Sequence, residues 1–474
     1  MAGTDVENLR KELKRHHQEH LIAFWAELSP DGREELLEEV RDLDLPKIRD
    51  WADRLVRNSD PPVEHKDFEP ALSYSPEPRD DRERRKYKEA IELGENLIAA
   101  GKVAALTVAG GQGTRLGFDG PKGNFPISPI ENKTLFRVFA ETIQAVSRRY
   151  RTTCPWYIMT SPMNHTQTVE IFKADDYYGL NPRDVFIFQQ GTLPNFDFEG
   201  RILLAGKSDI ARSPDGHGGC IRALARNGAL ADMKKRGVEV ITYWQVDNPL
   251  VKLFDPLFIG LHALDGAGMS SKAVIKNGPK EKVGNFCLVD GKVTVIEYSD
   301  LPDELAEKRR ADGSLVFELG SIAIHIISTR FVEELNMEGH SLPLHRAVKK
   351  IPHIDRTGTR VEPTEPNGIK LESFIFDAIP VAERSIILEI ERAEQFAPVK
   401  NATGEDSAES TRRMMVERAA NWLEFAGVSV PRKPDGSVDC TIEMAPSFAL
   451  DKADVPAKRD RIPPIRSGNK VYLA

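Results

Sequence analysis

Residues 103–123 read VAALTVAGGQGTRLGFDGPKG. The first six, Val103 to Val108, are short, apolar and partly β-branched, the composition of a buried strand. From Val108 on, six glycines, an arginine and a lysine fall within sixteen positions. Downstream, Leu135 to Tyr150 (LFRVFAETIQAVSRRY) puts Leu135, Phe136, Phe139, Ile143 and Val146 on one face at helical spacing. The unit is strand, long glycine-rich loop, helix.

Outward from this unit, short apolar runs (WYIMT, VFIF, VEVITYWQV, GSIAIHII, SIILEI) alternate with helical segments between about 99 and 390. That alternation predicts an α/β domain, a mostly parallel sheet covered by helices. Residues before Asn58 carry helical patterns such as HLIAFWAEL and GREELLEEVRDL, and Ser59 to Lys88 is Pro-rich and charged, as a surface connector is. After 392, a helical segment (STRRMMVERAANWLEFAG) leads into a Pro-rich basic tail. The expected division is 1–98 helical region and connector, 99–392 catalytic domain, 393–474 C-terminal domain. A chain of 474 residues is too long for one ordinary core.

A formal charge of −8 argues against a broad nucleic-acid surface. No apolar run approaches the roughly 18 residues of a membrane helix, and MAGTDVENLRKELKRHH lacks the apolar core of a signal peptide, so a cytoplasmic location is expected. Cys154, Cys220, Cys287 and Cys440 are scattered without a CxxC pair, and are expected to be buried or partly buried free thiols. His16, Glu19 and His20 imitate H-x-x-E-H, but no third ligand is near and the segment is mostly charged; the expected role is a polar face opposite Leu21, Phe24 and Trp25.

The loop matches neither standard phosphate motif. Its glycines do not end in Gly-Lys-Ser/Thr, and the chain's Gly206-Lys207-Ser208 has Arg201 where a Walker A glycine is required. A dinucleotide fingerprint starting at Gly111 and Gly113 fails at Leu116, which counts against a dinucleotide-dependent oxidoreductase. Gly110, Gly111 and Gly113 can still bend through positive φ and bring bare N–H groups to an oxyanion. Arg115 adds a planar fork for two phosphate oxygens and Lys122 a compact mobile charge. Such a set suits a polyphosphate whose charge shifts during reaction.

The loop GGQGTRLGFDGPKG resembles the nucleotide loop of the UDP-sugar pyrophosphorylase family, in particular its UDP-N-acetylhexosamine branch. FQQGTLPNFDFEGRILL, SPDGHGG, WQVDNPLVK, VIEYSDL, NGIKLESFIFD and FAPVKNA follow in that family's order, and EHLIAFWAEL is similar to its leading helices. The resemblance spans about residues 15 to 430. It implies a Rossmann-like nucleotidyltransferase domain with a mixed sheet, an N-terminal helical region and a small C-terminal domain. It also implies the reaction of UTP with an N-acetylhexosamine 1-phosphate to give the UDP-sugar and pyrophosphate.

Catalysis of that kind is largely positioning and charge neutralisation. Arg115, Lys122 and, by resemblance, Lys400 are expected to meet the phosphates, with Gly110 and Gly111 presenting backbone N–H groups. Asp247 follows an apolar strand, where open α/β sheets place ligand chemistry, and a single carboxylate there suits Mg²⁺ with phosphate oxygens and water; the plainer alternative is a cap on the turn at Pro249. Gln190 can present donor and acceptor to a uracil edge, and Pro214, Gly216 and His217 lie in the loop the resemblance assigns to the nucleotide. Sugar contacts implied by the family fall on Gly284, Glu297, Ser321 and Asn367, with Phe374 and Phe376, two apart, expected on one face of a strand. This chain departs from the branch at Ser321, where Gly-Asn-Ile is usual, and at His217, where PDGNGG is usual. A UTP-glucose-1-phosphate uridylyltransferase, a broad-specificity UDP-sugar enzyme and a non-catalytic nucleotide-sugar binding protein remain the alternative readings.

Overall fold

Val103–Val108 forms the expected strand, and its first five residues are buried. It lies in a ten-stranded sheet with β1 Phe68–Pro70, β2 Val103–Val108, β3 Trp156–Thr160, β4 Val185–Gln189, β5 Val240–Gln245, β6 Met269–Ile275, β7 Gly284–Val289, β8 Lys292–Ile296, β9 Leu319–Ser328 and β10 Ser385–Glu389. The path runs β1-β7-β9-β5-β2-β3-β4, with β8 paired to β7, β6 to β9, and β10 to β6. The pairs β5–β2, β2–β3, β3–β4 and β6–β10 are parallel. Strand β9 runs antiparallel to β5, β6 and β7, so the sheet is mixed.

The computed structural model describes residues 3–58, 68–337 and 341–474, and the chain divides into two units. One unit contains the ten-stranded sheet and comprises 67–190, 220–341 and 376–474; the other gathers 1–66, 191–219 and 342–375.

In the sheet-containing unit, helix Leu135–Tyr150 buries Leu135, Phe136, Phe139, Ile143 and Val146, the face its spacing predicts. Helix Asp81–Ala99 lies against helix Pro256–Leu264, and two glycines set the approach. A Cβ on Gly94 would stand 2.0 Å from the Pro256 carbonyl oxygen, and one on Gly260 would stand 1.7 Å from that of Ala90. Residues 68–88 are therefore not a surface connector. Phe68–Pro70 pairs with β7, the Tyr74 N–H donates to the Ile387 carbonyl, and a helix capped by Asp80 begins at Asp81. Much of the charge that suggested a connector belongs to the first turns of this helix and Pro70 to a sheet edge, while Pro76 and Pro78 lie between them. The part of that expectation covering 59–67 lies outside the described residues.

Helix Ala408–Phe425 and the parallel pair Thr441–Met444 with Lys470–Leu473 surround a cluster of their own that includes Ala420, Leu423, Ile442, Phe448 and Val455. These residues fall in the sheet-containing unit, which runs through positions 98 and 392 without a boundary at either.

In the other unit, helices Gly3–Arg15, Pro30–Arg41 and Leu45–Trp51 share one apolar cluster with Phe196, Ile202, Ile210 and Ile369. The buried Gln18 amide donates to Gly200 O and accepts from Ile202 N–H. His16, Glu19 and His20 do not share a helix: the first helix ends at Arg15, and the His20 ring bonds the Ile202 carbonyl oxygen at 2.7 Å. The four cysteines are free thiols, three of them buried.

Candidate functional site

The register Val108↔Gln245 ends β2 and β5 side by side, while β3 lies on the other side of β2. The chain leaving β2 and the chain leaving β5 thus emerge at one carboxyl edge where strand order reverses, the place where open α/β sheets hold ligands. Loop 109–123 leaves β2 there, and Asp247 follows β5 by two residues. Lys122 Nζ stands 3.7 Å from Asp247 Oδ2, and both side chains are mostly buried. A pair that is neither fully hydrogen-bonded nor solvated is open to a polyanion at the lysine and a cation at the carboxylate.

Cross-links within the loop fix its shape. Lys122 N–H donates to Gly111 O, Gly113 N–H to Gly120 O, and Phe118 N–H to Gly113 O. From the end of β3, Ser161 Oγ donates to Gly110 O at 2.8 Å, and Asn164 Nδ2 donates to Ala109 O at 2.9 Å and to Gly111 O at 3.2 Å. The loop's carbonyls are thereby turned toward β3. Among the described residues, no acceptor meets the N–H groups of Gly110 and Gly111.

Positive φ, expected at Gly110, Gly111 and Gly113, occurs in this loop at Gly117 and Gly120 instead. The first glycines serve close approach. A Cβ on Gly110 would lie 2.5 Å from Gln190 Oε1, and one on Gly113 would lie 2.9 Å from the Phe118 carbonyl oxygen. Gln190 follows β4, with its N–H on Thr160 O, so the loop and this amide side chain meet. Arg115 sits exposed in the single turn Thr114–Leu116.

The segment carrying Lys400 is tied to the other side of Asp247. Val399 N–H donates to Asp247 O at 2.8 Å, Asn248 Nδ2 donates to Gln395 O, and Asn248 Oδ1 accepts from Ala397 N–H. Lys400 N–H donates to Asp406 O, and Asp406 holds the left-handed backbone φ of 54°. Burial raises the Asp406 carboxyl above its usual range, opposed by Lys400 and reinforced by Asp247. Behind this segment, the fully buried Lys272 ammonium donates to Asp255 and to Gln395 Oε1. Against the cost of burial, Lys252 and Lys272 hold Asp255 down to about 2. Ser161, Asn164, Asn248 and Asp406 escaped the sequence reading. The first two had a signal, a Ser-x-x-Asn step directly after an apolar strand.

The same edge continues to β9. Antiparallel register His325↔Tyr243 sends the residues before His325 toward the end of β5 that precedes Asp247. Ser321 pairs with Gly284, and a β-bulge separates Ser321 from His325. Glu297 directly follows β8. Phe376 also lies in this unit, buried in the turn Ile375–Val381.

The remaining expected residues lie in the other unit. Gly216, at φ 85°, would bring a Cβ within 2.3 Å of Ser373 O, so glycine is required there by the chain's own packing. Pro214 ends the strand Arg212–Pro214. The His217 ring stacks on Phe374 at 5.3 Å, as does His345 at 4.3 Å. Burial, and then His345, lowers His217 to about 4; its neutral Nδ1 accepts the Ile375 N–H. The Asn367 amide spends both ends on the Ile351 backbone, accepting from its N–H and donating to its carbonyl. Phe374 and Phe376 do not share a strand face. Strand Gly368–Glu372 ends before them, because Ser373 turns its N–H and Oγ onto Asp215 O and a short turn containing Pro380 follows.

Among the described residues, no group of three or more His, Cys, Asp or Glu side chains is arranged to hold a metal. Asp247 with Asp406 nearby suits a hard cation that takes most of its ligands from phosphate and water. No helix among the described residues is long and apolar enough to cross a membrane.

Residues 70–446 match the family model described as UTP--glucose-1-phosphate uridylyltransferase. The chain is 39% identical to the human UDP-N-acetylhexosamine pyrophosphorylase-like protein 1, over 95% of this chain and 94% of that protein. It is 35% identical to the UDP-N-acetylglucosamine pyrophosphorylase of Saccharomyces cerevisiae, over 87% of this chain and 90% of that protein. The crystal structure of a putative UDP-N-acetylglucosamine pyrophosphorylase from Entamoeba histolytica superposes with a TM-score of 0.74 at 31% identity, covering 86% of this chain and 99% of that one.

Proposed function

The chain belongs to the UTP-glucose-1-phosphate uridylyltransferase family of UDP-sugar-forming nucleotidyltransferases, and we propose that it makes UDP-N-acetylglucosamine from UTP and N-acetylglucosamine 1-phosphate. The observation that carries the reaction type is the Lys122–Asp247 pair at 3.7 Å, lodged where β2 and β5 part. The hexosamine assignment rests on the relatives, whose names specify N-acetylhexosamine or N-acetylglucosamine.

A phosphate oxygen of the sugar 1-phosphate attacks the α-phosphorus of UTP. The bond from that phosphorus to the β-bridging oxygen breaks, and its electron pair leaves with pyrophosphate. No side chain needs to form a covalent bond, so the chain's work is alignment and charge neutralisation. The N–H groups of Gly110 and Gly111 hold phosphate oxygens, and Gln190 beside them reads the uracil edge. Lys122 and Lys400, on either side of Asp247, take up charge as it moves from the α-phosphate to the leaving group, and Arg115 folds over the pyrophosphate. Asp247 would hold a divalent cation, Mg²⁺ in this reading, which would supply further charge neutralisation at the phosphates. Gly284, Glu297 and Ser321 line the sugar end.

The test is pyrophosphate release from UTP, with and without N-acetylglucosamine 1-phosphate. Release that requires both substrates and a divalent cation is expected; binding of UDP-sugar with no turnover refutes the proposal in favour of a non-catalytic binding protein.

A further inference from the structure

Directly after β6, Lys276 is 6% exposed, and among the described residues no carboxylate lies within ion-pair distance of its ammonium. Burial lowers its pKa, with Cys287 and Glu281 opposing. A buried cation without a paired anion is costly, and such a cost persists where the charge holds something in place.

What it holds is Asn285. Lys276 Nζ donates to Asn285 Oδ1, and Asn285 Nδ2 donates to the Ile296 carbonyl oxygen at 3.3 Å. Asn285 is 2% exposed. This relay joins the end of β6 to β7 and β8. Each member is adjacent to a residue of the sugar end: Asn285 follows Gly284, and Ile296 precedes Glu297. The lysine stem lies under Gly320, where a Cβ would be 3.3 Å from Lys276 Cγ, and Gly320 precedes Ser321. Gly320 pairs with Asn285 and Ser321 with Gly284, so the relay sits one residue behind the rim on three strands at once.

We propose that Lys276 is a positioning residue for sugar recognition, holding Gly284, Glu297 and Ser321 in mutual register through Asn285. The inference rests on the functional reading above, and specifically on sugar binding at those three residues. Lys276 does not touch the Lys122–Asp247 edge in any described hydrogen bond or ion pair, so its influence falls on the sugar phosphate and not on UTP.

The experiment compares wild type, Lys276→Met, Asn285→Ala and the double variant by steady-state kinetics with UTP and N-acetylglucosamine 1-phosphate, with Tm measured alongside. The expected result is a rise of about tenfold in KM for the sugar phosphate in each single variant, with kcat and KM for UTP within about twofold of wild type. The double variant is expected to match the singles, because both remove one relay. Lys276→Arg, which keeps the charge and a donor, is expected to recover at least part of the loss. An unchanged sugar KM, additive single effects, or equal rises in both KM values with a collapsed Tm would each overturn the proposal. If Lys276→Met does not fold, Asn285→Ala carries the same comparison. Wild type that turns over no sugar 1-phosphate overturns the functional reading and this inference with it, whereas active wild type with an unaffected Lys276 variant overturns the inference alone.

Discussion

Replacing Gly110 by alanine tests the nucleotide loop at the point where the structure makes its sharpest demand. The added methyl would sit 2.5 Å from Gln190 Oε1 and 3.3 Å from the backbone nitrogen and Cβ of Ser161. Ser161 is buried and its hydroxyl is bound to Gly110 O, so the amide end of Gln190 has to yield. Restoring an ordinary contact of about 3.4 Å moves it by roughly 1 Å, enough to spoil a hydrogen bond to a uracil edge. Losing one such bond is worth about 0.5–1.5 kcal/mol, or a fall of roughly two- to twelvefold in kcat/KM for UTP. Gly111→Ala is the control for general loop damage: nothing lies within 4 Å of a Cβ there, and its backbone φ is not positive. Its Tm should stay near wild type, with any kinetic loss arising from crowding of the bare N–H groups. The assay is kcat/KM for UTP at saturating sugar phosphate, with Tm for both variants. Gly110→Ala with unchanged kcat/KM for UTP refutes the placement of Gln190 at the base.

Lys122→Ala is expected to lower kcat by about 10²- to 10³-fold, the usual consequence of removing one preorganised donor to developing charge; a fall of less than about tenfold with a raised UTP KM would make Lys122 a ground-state binder. Asp406→Asn, whose side chain tolerates the left-handed backbone at that position, should raise the divalent cation concentration for half-maximal activity by about tenfold. An unchanged metal titration would leave Asp406 only the task of closing the loop onto Lys400. Buried His262 is neutral in the fold, lowered by burial to about 4, with its ring nitrogens on Ser270 and Ser328. The Ser328 hydroxyl donates to Ala267 O, so Nε2–H donates to Ser328 and Nδ1 accepts from Ser270. Protonation would set two donors face to face. Its folded value is below the ordinary 6.5, so the unfolded chain binds the extra proton between those limits. Stability is therefore full above pH 6.5 and falls by about 2 kcal/mol by pH 5. His262→Asn should remove that share of the acid slope in urea titrations at pH 7.5 and 5, and an unchanged slope would contradict the assignment.

The strand–loop–helix core was legible because its signals are local. Val103–Val108, the apolar face of Leu135–Tyr150 and the Asp just past VEVITYWQ each follow from spacing alone. What the sequence did not disclose depended on distant partners. Glycines 110 and 113 looked like turn formers, but their reason is Gln190 and the Phe118 carbonyl, visible only once the chain closes on itself. Asn367 was expected at the sugar by resemblance alone, and nothing local in its sequence foretold that its amide bonds the Ile351 backbone and faces His353 Nδ1. Phe374 and Phe376 suggested a strand by alternation, and Ser373 breaks that strand by bonding Asp215 O, 158 residues away. The charged stretch before Lys88 looked like a connector because helix Asp81–Ala99 is amphipathic with few buried positions, among them Tyr87, Ala90, Gly94 and Ile98.

The sugar assignment is decided by kcat/KM of the wild-type protein for N-acetylglucosamine 1-phosphate, its galacto epimer and glucose 1-phosphate, each with UTP and Mg²⁺, repeated in Ser321→Asn. Ser321 offers a hydroxyl where an amide is usual, and the loss of about 1 kcal/mol of differential binding corresponds to roughly fivefold in selectivity. N-acetylglucosamine 1-phosphate is expected to be the best substrate, and Ser321→Asn is expected to sharpen its lead about fivefold. Glucose 1-phosphate ahead by about tenfold or more in the wild type would contradict the hexosamine assignment and make the chain a UTP-glucose-1-phosphate uridylyltransferase.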